Sequence, residues 1–269
     1  MKIISVFTKF LLYLPGELSH DIAFKGLKLF YSLGLLKLFF RKSNSENAIS
    51  ADIKGTEFSL KLNNRLGIAA GLDKDGEYID CLAAMGIGFV EVGTVTPKQQ
   101  LGNPKPRIFR LEKDQALINR LGFNNHGSET VSKRISNNFP DGFLGINIGP
   151  NKDTKNKADD YYICLSRLAA YAGYITINIS SPNTEGLRNF HDQEEMKKLL
   201  SGINKVIKEK KIEFTSSNHQ YNKKGKYDVA IDYYKDALKI CLVKVLQCQY
   251  NTYKVLTTEI VIFRISFFR

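Results

Sequence analysis

The chain has 269 residues, 43% of them hydrophobic, which allows one large domain or two modest ones around a real core. Its four cysteines (Cys81, Cys164, Cys241, Cys248) form no CxxC pair, so a disulfide framework or a metal centre is not expected and a reducing cytosol is the default. The net charge of +12 sits at the ends: residues 1–42 carry +5, residues 197–269 carry +9, and the body between them carries −2, which argues against a nucleic-acid-binding body.

Residues 3–14 and 18–40 place Phe and Leu at helical spacing, broken by Leu14-Pro15-Gly16. The longest apolar run, Leu29–Phe40, is interrupted by Lys37 and is too short for a span of about 20 apolar residues. The flanks lack the small-residue cleavage site of a signal peptide. Two readings remain open: amphipathic helices lying on an anionic membrane surface, or a helical hairpin packed on the body. Residues 43–50 read as a polar linker and Thr56–Leu62 as a short strand.

From residue 66 strands and helices alternate. Strands are expected at Leu66–Ala70, Gly88–Val95, Phe143–Ile148 and Tyr174–Ile179. Helices are expected around 76–85, 158–172 and 192–210. Such alternation implies parallel βα units, and polar or glycine residues cluster just after each strand. The first strand runs into Ala70-Gly71-Leu72-Asp73-Lys74, the second ends at Thr94, the third at Asn147 and the fourth at Asn178. After a long excursion containing Pro97, Pro104 and Pro106 comes Asn119-Arg120-Leu121-Gly122-Phe123-Asn124-Asn125, rich in amide and guanidinium donors. Glycine lets a flat ligand approach the backbone, Lys74 offers a point charge, and uncharged amides and hydroxyls bond a planar polar ligand. Polar side chains at four successive strand ends point to a ligand site on the rim of a (β/α)₈ barrel.

Five segments carry a specific resemblance: Ala69–Gly76, Glu91–Pro97, Asn119–Asn125, Gly145–Gly149 and Asn178-Ile179-Ser180-Ser181-Pro182-Asn183. Together with Leu14–His20 they resemble the quinone-linked class 2 dihydroorotate dehydrogenases over roughly residues 1–211. The resemblance implies an α/β, (β/α)₈ TIM-barrel fold and FMN-dependent oxidation of dihydroorotate to orotate, in pyrimidine biosynthesis, with a membrane quinone as acceptor. It implies FMN contacts from Ala70, Gly71, Leu72, Asp73, Lys74, Thr94, Asn147 and Asn178. Substrate contacts would come from Lys74, Asn119, Arg120, Leu121, Gly122, Phe123, Asn178 and Asn183. Ser181 would be the catalytic base, His20 would lie near the quinone channel, and Thr184–Phe190 would be a lid. No metal is implied. The protein would be a monomer bound peripherally to the cytoplasmic face of the membrane through its N-terminal helices.

After about residue 211 the character of the chain changes. The family's later motifs, a second flavin lysine, an Asn-Thr pair and glycine-rich phosphate loops, are not found after residue 190. Gly225–Leu238 resembles the second half of a tetratricopeptide repeat, or more plainly one amphipathic helix of 226–247, and 255–268 is strongly apolar. The expectation is a partial barrel of about four βα units (43–211) with an N-terminal helical segment (1–42) and a divergent helical tail (212–269). Nothing in that tail reads as strands matching the sheet. Such a chain would hold FMN poorly and be impaired or inactive. The rival readings are a non-enzymatic remnant or fusion of a broken gene, and an interaction module acting through the basic tail.

Overall fold

The computed structural model describes residues 10–40, 49–52, 59–62, 66–114, 116–137, 143–181, 184, 186–212 and 261–263. In chain order the strands are β1 (Ile49–Asp52), β2 (Ser59–Leu62), β3 (Leu66–Ile68), β4 (Phe89–Val95), β5 (Ile108–Leu111), β6 (Ala116–Asn119), β7 (Phe143–Ile148), β8 (Tyr174–Ile177) and β9 (Val261–Phe263). The helices are α1 (Gly16–Ser32), α2 (Leu36–Phe39), α3 (Ile79–Ala84), α4 (Ser128–Asn137), α5 (Lys157–Leu168) and α6 (Gln193–Lys210). Short 3₁₀ turns lie at Ala169–Tyr171 and Leu187–His191.

A five-stranded sheet in the order β8-β7-β4-β3-β9 organises the body, and every neighbouring pair in it is parallel. Because parallel strands need crossovers, α3 links β3 to β4, α4 lies between β6 and β7, and α5 links β7 to β8. One face of the sheet is aliphatic. Val90, Val92, Leu144, Ile146 and Ile148 pack on Ile79 and Leu82 of α3, Val131 and Ile135 of α4, Leu165 and Leu168 of α5, and Leu199 and Ile203 of α6. Burying each such side chain is worth about 1.5–3 kcal/mol, so this layer supplies most of the drive for the fold. The opposite, inner face alternates glycine with aromatic and polar residues. Gly67 of β3 leaves room for the Phe89 ring, and Gly145 of β7 for the Tyr174 ring.

Local chemistry fixes the element ends. Asp192 caps α6, accepting from the backbone N–H of Glu194 (2.9 Å) and Glu195 (3.1 Å). Glu194 and Glu195 in the first turn and Lys208 and Lys210 in the last complement the helix dipole. The single helix expected over 18–40 is instead two. Gly34, at φ 71°, ends α1 in a left-handed turn in which Leu35 N–H donates to Phe30 O at 2.9 Å.

Three further expectations are corrected. Residues 49 and 50, read as linker, belong to β1, which pairs antiparallel with β2 in the register Ile49↔Leu62. The excursion after Pro97 contains the antiparallel hairpin β5–β6, and α4 follows it; neither was anticipated. In the tail, 261–263 form a strand parallel to β3, Leu66↔Val261 to Ile68↔Phe263. This is a fifth strand beyond the four βα units, from a segment expected to supply none. The helix expected at 226–247 lies outside the described residues.

The N-terminal segment is clamped to this body. Arg107, almost fully buried, donates from Nε (3.0 Å) and Nη2 (2.8 Å) to Glu17 Oε1 of α1. Arg110 donates to the carbonyls of Leu12 and Leu14, which close the turn before α1, and to Ser19 Oγ at 2.9 Å. His20 Nε2 lies 2.7 Å from Leu72 O; a carbonyl only accepts, so that nitrogen carries the proton. The His20 ring stacks on Phe24, which packs against Tyr78. One side of the segment therefore packs against the body. On the other side Leu29, Leu33, Leu38 and Phe39 are exposed. Among the described residues no helix is long and apolar enough to cross a membrane.

Candidate functional site

Alternation sends Asn147, at the C-terminal end of β7, and Asn178, just after β8, to the inner face, and the register shift between Val92 and Val95 turns Thr94 of β4 to the same face, out of phase with Glu91. The structure brings the three together. Thr94 Oγ1 donates to Asn147 Oδ1 at 2.6 Å, and Asn178 Nδ2 donates to Thr94 Oγ1 at 2.9 Å and to Asn147 Oδ1 at 3.2 Å. Sequence reasoning gave no role to the two residues beneath them. Glu91, 7% exposed, accepts from Asn147 Nδ2 (2.9 Å) and from the Tyr174 hydroxyl (2.9 Å). The missed signal was Gly145, which stands between Glu91 and Tyr174 in the sheet register.

The loop after β3 is bonded to the same strand ends. Gly71 N–H donates to Gly93 O at 2.8 Å, and Gly93 N–H donates to Asp73 O at 3.1 Å. Gly71 has φ 108°, and a Cβ placed there would meet nothing within 4 Å, so the backbone at this point faces open space. Ala70 and Leu72 flank it, half-buried. Asp73 is 2% exposed and its carboxylate accepts from Glu77 N–H (2.9 Å) and Tyr78 N–H (2.8 Å). It holds the turn into α3, so only its backbone can face a ligand. Burial pushes its pKa up, against the lowering by those backbone bonds. Lys74 donates to Gly71 O at 3.0 Å. Desolvation, and then the Arg107 guanidinium, hold the Lys74 pKa below the ordinary lysine value.

The segment 119–123 divides. Phe123 takes φ 52°, and its ring, with Thr94 Cγ2, closes on Gly149, where a Cβ would lie 2.7 Å from Thr94 Cγ2 and 3.3 Å from the nearest ring carbon. Gly122, at φ 72°, offers its carbonyl to Gln100 Nε2 at 2.9 Å. Asn119 lies at the end of β6 with Leu121 N–H 3.5 Å from its Oδ1. Arg120 turns its guanidinium to Pro106 O (3.0 Å from Nη2) and over the Phe109 ring, on the hairpin. Its side chain is exposed there, while its neighbours Leu121, Gly122 and Phe123 are half-buried.

The loop carrying Ser181 is gripped from two sides. The Tyr161 hydroxyl of α5 donates to Asn178 O at 2.7 Å, and His191 Nε2 lies 3.0 Å from Ile179 O. Asn178 Oδ1 accepts from Ser180 N–H at 3.2 Å, tightening the turn that leads to half-buried Ser181. Within the expected lid, Thr184 is buried and Gly186 takes φ 71°. Asn183 lies outside the described residues. Among the described residues no group of His, Cys, Asp and Glu could hold a metal ion.

The family model for dihydroorotate dehydrogenase matches residues 52–246, running beyond residue 211 into the stretch expected to diverge. Proteins named dihydroorotate dehydrogenase (quinone) from Yersinia pseudotuberculosis and Yersinia pestis are 46% identical over 215 residues, 79% of this chain and 61% of theirs. The chain thus spans about three fifths of the length of these curated relatives. Two crystal structures of the dihydroorotate dehydrogenase of Eimeria tenella superpose on it. The ferulenol complex has a TM-score of 0.60 at 39% identity, covering 72% of this chain and 51% of that one. The ligand-free form has a TM-score of 0.62 at 36% identity, covering 79% and 55%. The parallel sheet flanked by helices is therefore an α/β fold of the TIM-barrel type, and the chain belongs to the dihydroorotate dehydrogenase family, with relatives of the quinone-linked class.

Proposed function

We propose that this chain carries the ring-facing and substrate-facing part of an FMN-dependent dihydroorotate dehydrogenase that delivers electrons to a quinone. The observation that carries the reading is the meeting of Thr94, Asn147 and Asn178 at three neighbouring strand ends, beside the open backbone at Gly71. This donor set fits a flavin: uncharged hydroxyl and amide groups suit the polar edge of a planar ring, and the absence of a Cβ at Gly71 lets a flat surface approach the loop. FMN, when bound, would supply the two-electron chemistry, taking hydride from C6 of dihydroorotate.

The chain's own residues do the rest. Ala70 to Lys74, Thr94, Asn147 and Asn178 hold the ring. Lys74, Asn119, the backbone of Arg120 to Phe123, Asn178 and Asn183 hold the substrate. Ser181 takes the C5 proton as its own hydroxyl proton passes to a hydrogen-bonded acceptor; a serine hydroxyl is a weak base, so it acts only where bulk water is excluded. The segment Thr184–Phe190 provides that exclusion by covering the loop. The exposed leucines of α1 and α2 rest on a membrane surface on its cytoplasmic side, where the quinone is dissolved, with His20 at the approach, and the protein acts as a monomer. Because no glycine-rich phosphate loop follows residue 190 in the sequence, these 269 residues alone hold FMN weakly.

The test supplies the chain with saturating FMN, dihydroorotate and a soluble quinone and follows orotate by absorbance. We expect slow turnover that Ser181→Ala lowers by roughly a hundredfold or more. FMN should be lost on gel filtration. Failure to bind FMN at any concentration would overturn the functional reading, while stoichiometric FMN retained through purification would overturn only the weak-binding part.

A further inference from the structure

We propose that Glu91 is a positioning residue whose carboxylate, bridging Tyr174 and Asn147, sets the direction of the hydrogen-bond chain through Asn147, Thr94 and Asn178. That direction decides which atoms the chain can offer to a planar ligand. The directional half of the proposal stands on geometry alone; the ligand half rests on the flavin reading above.

Each step follows from which groups can donate. A carboxylate oxygen only accepts, so the Asn147 atom 2.9 Å from Glu91 Oε1 is the amide nitrogen. Asn147 Oδ1 then faces Thr94 and Asn178, and since a carbonyl oxygen cannot donate, the Thr94 hydroxyl proton points at it across 2.6 Å. The Thr94 oxygen is left as an acceptor and takes Asn178 Nδ2–H at 2.9 Å. Asn178 must then turn its own Oδ1 the other way, toward Ser180 N–H at 3.2 Å, one residue before the candidate base. The Tyr174 hydroxyl donates to the second Glu91 oxygen at 2.9 Å and holds the carboxylate in place. Glu91, Thr94 and Asn147 are 7%, 7% and 6% exposed, so bulk water cannot supply alternative partners. One of the two Asn147 N–H bonds goes to Glu91; the other is the donor left for a ligand acceptor.

Glu91→Gln keeps the size and loses the direction. A carboxamide that accepts from Tyr174 through its oxygen presents N–H to Asn147, so Asn147 can turn over and the chain can run backwards. Tyr174→Phe, by contrast, leaves the carboxylate and hence the direction.

The experiment uses the full chain with ¹⁵N-labelled asparagine and ¹³C-labelled glutamate, without flavin. In the wild type, the Asn147 side-chain amide should give one slowly exchanging pair of signals, with a through-hydrogen-bond coupling to the Glu91 carboxyl carbon. In Glu91→Gln the Asn147 and Asn178 amide signals should shift or double; in Tyr174→Phe they should keep the wild-type pattern. Riboflavin, which carries the ring without the phosphate, should bind about tenfold more weakly to Glu91→Gln, the scale of one charge-assisted hydrogen bond. Absence of the coupling in the wild type overturns the proposal even if Glu91→Gln fails to fold. So do unchanged amide signals in Glu91→Gln, or equal changes in Tyr174→Phe. Should the amide results hold while the wild type binds neither riboflavin nor FMN, the positioning role stands and the flavin reading falls.

Discussion

Replacing Gly145 with alanine tests whether the inner face of the sheet is built as described. A Cβ at position 145 would lie 2.1 Å from Tyr174 Cζ and 2.4 Å from its hydroxyl oxygen. Carbon atoms in ordinary contact stand about 3.5–4.0 Å apart, so the ring has to withdraw by more than an ångström. It cannot do so and still reach Glu91 on the far side of β7. Forcing an extra methyl into a packed layer costs about 1–3 kcal/mol. Losing one hydrogen bond to a buried carboxylate adds about 1.5–3 kcal/mol. The expected loss is therefore about 2.5–6 kcal/mol, measured as a shift of the urea midpoint by circular dichroism. The control is the same substitution in a Tyr174→Ala background, where the room already exists and the added cost should fall below about 1 kcal/mol. Equal destabilisation in both backgrounds would mean that the Tyr174 ring is not what Gly145 accommodates, and the reasoning would fail.

Gly26→Ala should act with the opposite sign. Gly26 lies inside α1 with nothing within 4 Å of a built Cβ, so alanine should stabilise by about 0.5–1 kcal/mol in the same denaturation assay. Glu17→Gln strands the Arg107 guanidinium, which is 7% exposed but keeps the carbonyls of Leu101 and Asn103. We expect α1 to lose about 2–3 kcal/mol of docking free energy, below the cost of a wholly abandoned charge, read as faster amide exchange confined to α1. Lys74 has a folded pKa below the ordinary lysine value of 10.5, so the fold disfavours its charged form. Its penalty is fully present below the folded pKa and is relieved as pH rises toward 10.5; Lys74→Met should thus be more stable than wild type at pH 7, with the difference shrinking in alkaline denaturation series. Burial pushes the thiols of Cys81 and Cys164 above the ordinary value, so peptide mapping after treatment with a disulfide reagent should find neither modified in the native protein and both modified in urea.

The strands β4 and β7 were legible in the sequence because they are buried on both faces. Phe89–Val95 is buried at every position, and such runs are apolar enough to stand out between polar turns. The strand-end residues were legible because each is a polar residue where an apolar run stops. What the sequence could not disclose was pairing at a distance. Glu91 and Tyr174 lie 83 residues apart, and nothing local to either marks the other. The hairpin β5–β6 was hidden because its use is external: Arg107 and Arg110 break its apolar pattern in order to reach α1 some 90 residues earlier. Arg120 shows the converse hazard, for a residue inside a ligand-like motif turns its side chain to the hairpin. Val261–Phe263 escaped notice because three residues are too few to carry an alternation.

The division of labour between the two faces of the sheet follows from the same alternation. Val92 and Ile146, on the helix side, are wholly buried among aliphatic neighbours and contribute through area alone. Glu91 and Asn147, one residue away on the inner face, are nearly as buried but contribute through direction. A buried polar group destabilises unless every partner is in place, so the inner face tolerates only one arrangement of donors and acceptors. The aliphatic layer holds the strands at the register that lines up Glu91, Gly145 and Tyr174. A slip of one residue would send each of them to the helix side and leave a carboxylate against Ile and Val side chains. The packing that stabilises the fold and the bonding that orients the candidate site are therefore one constraint, and substitutions that loosen the first should blur the second.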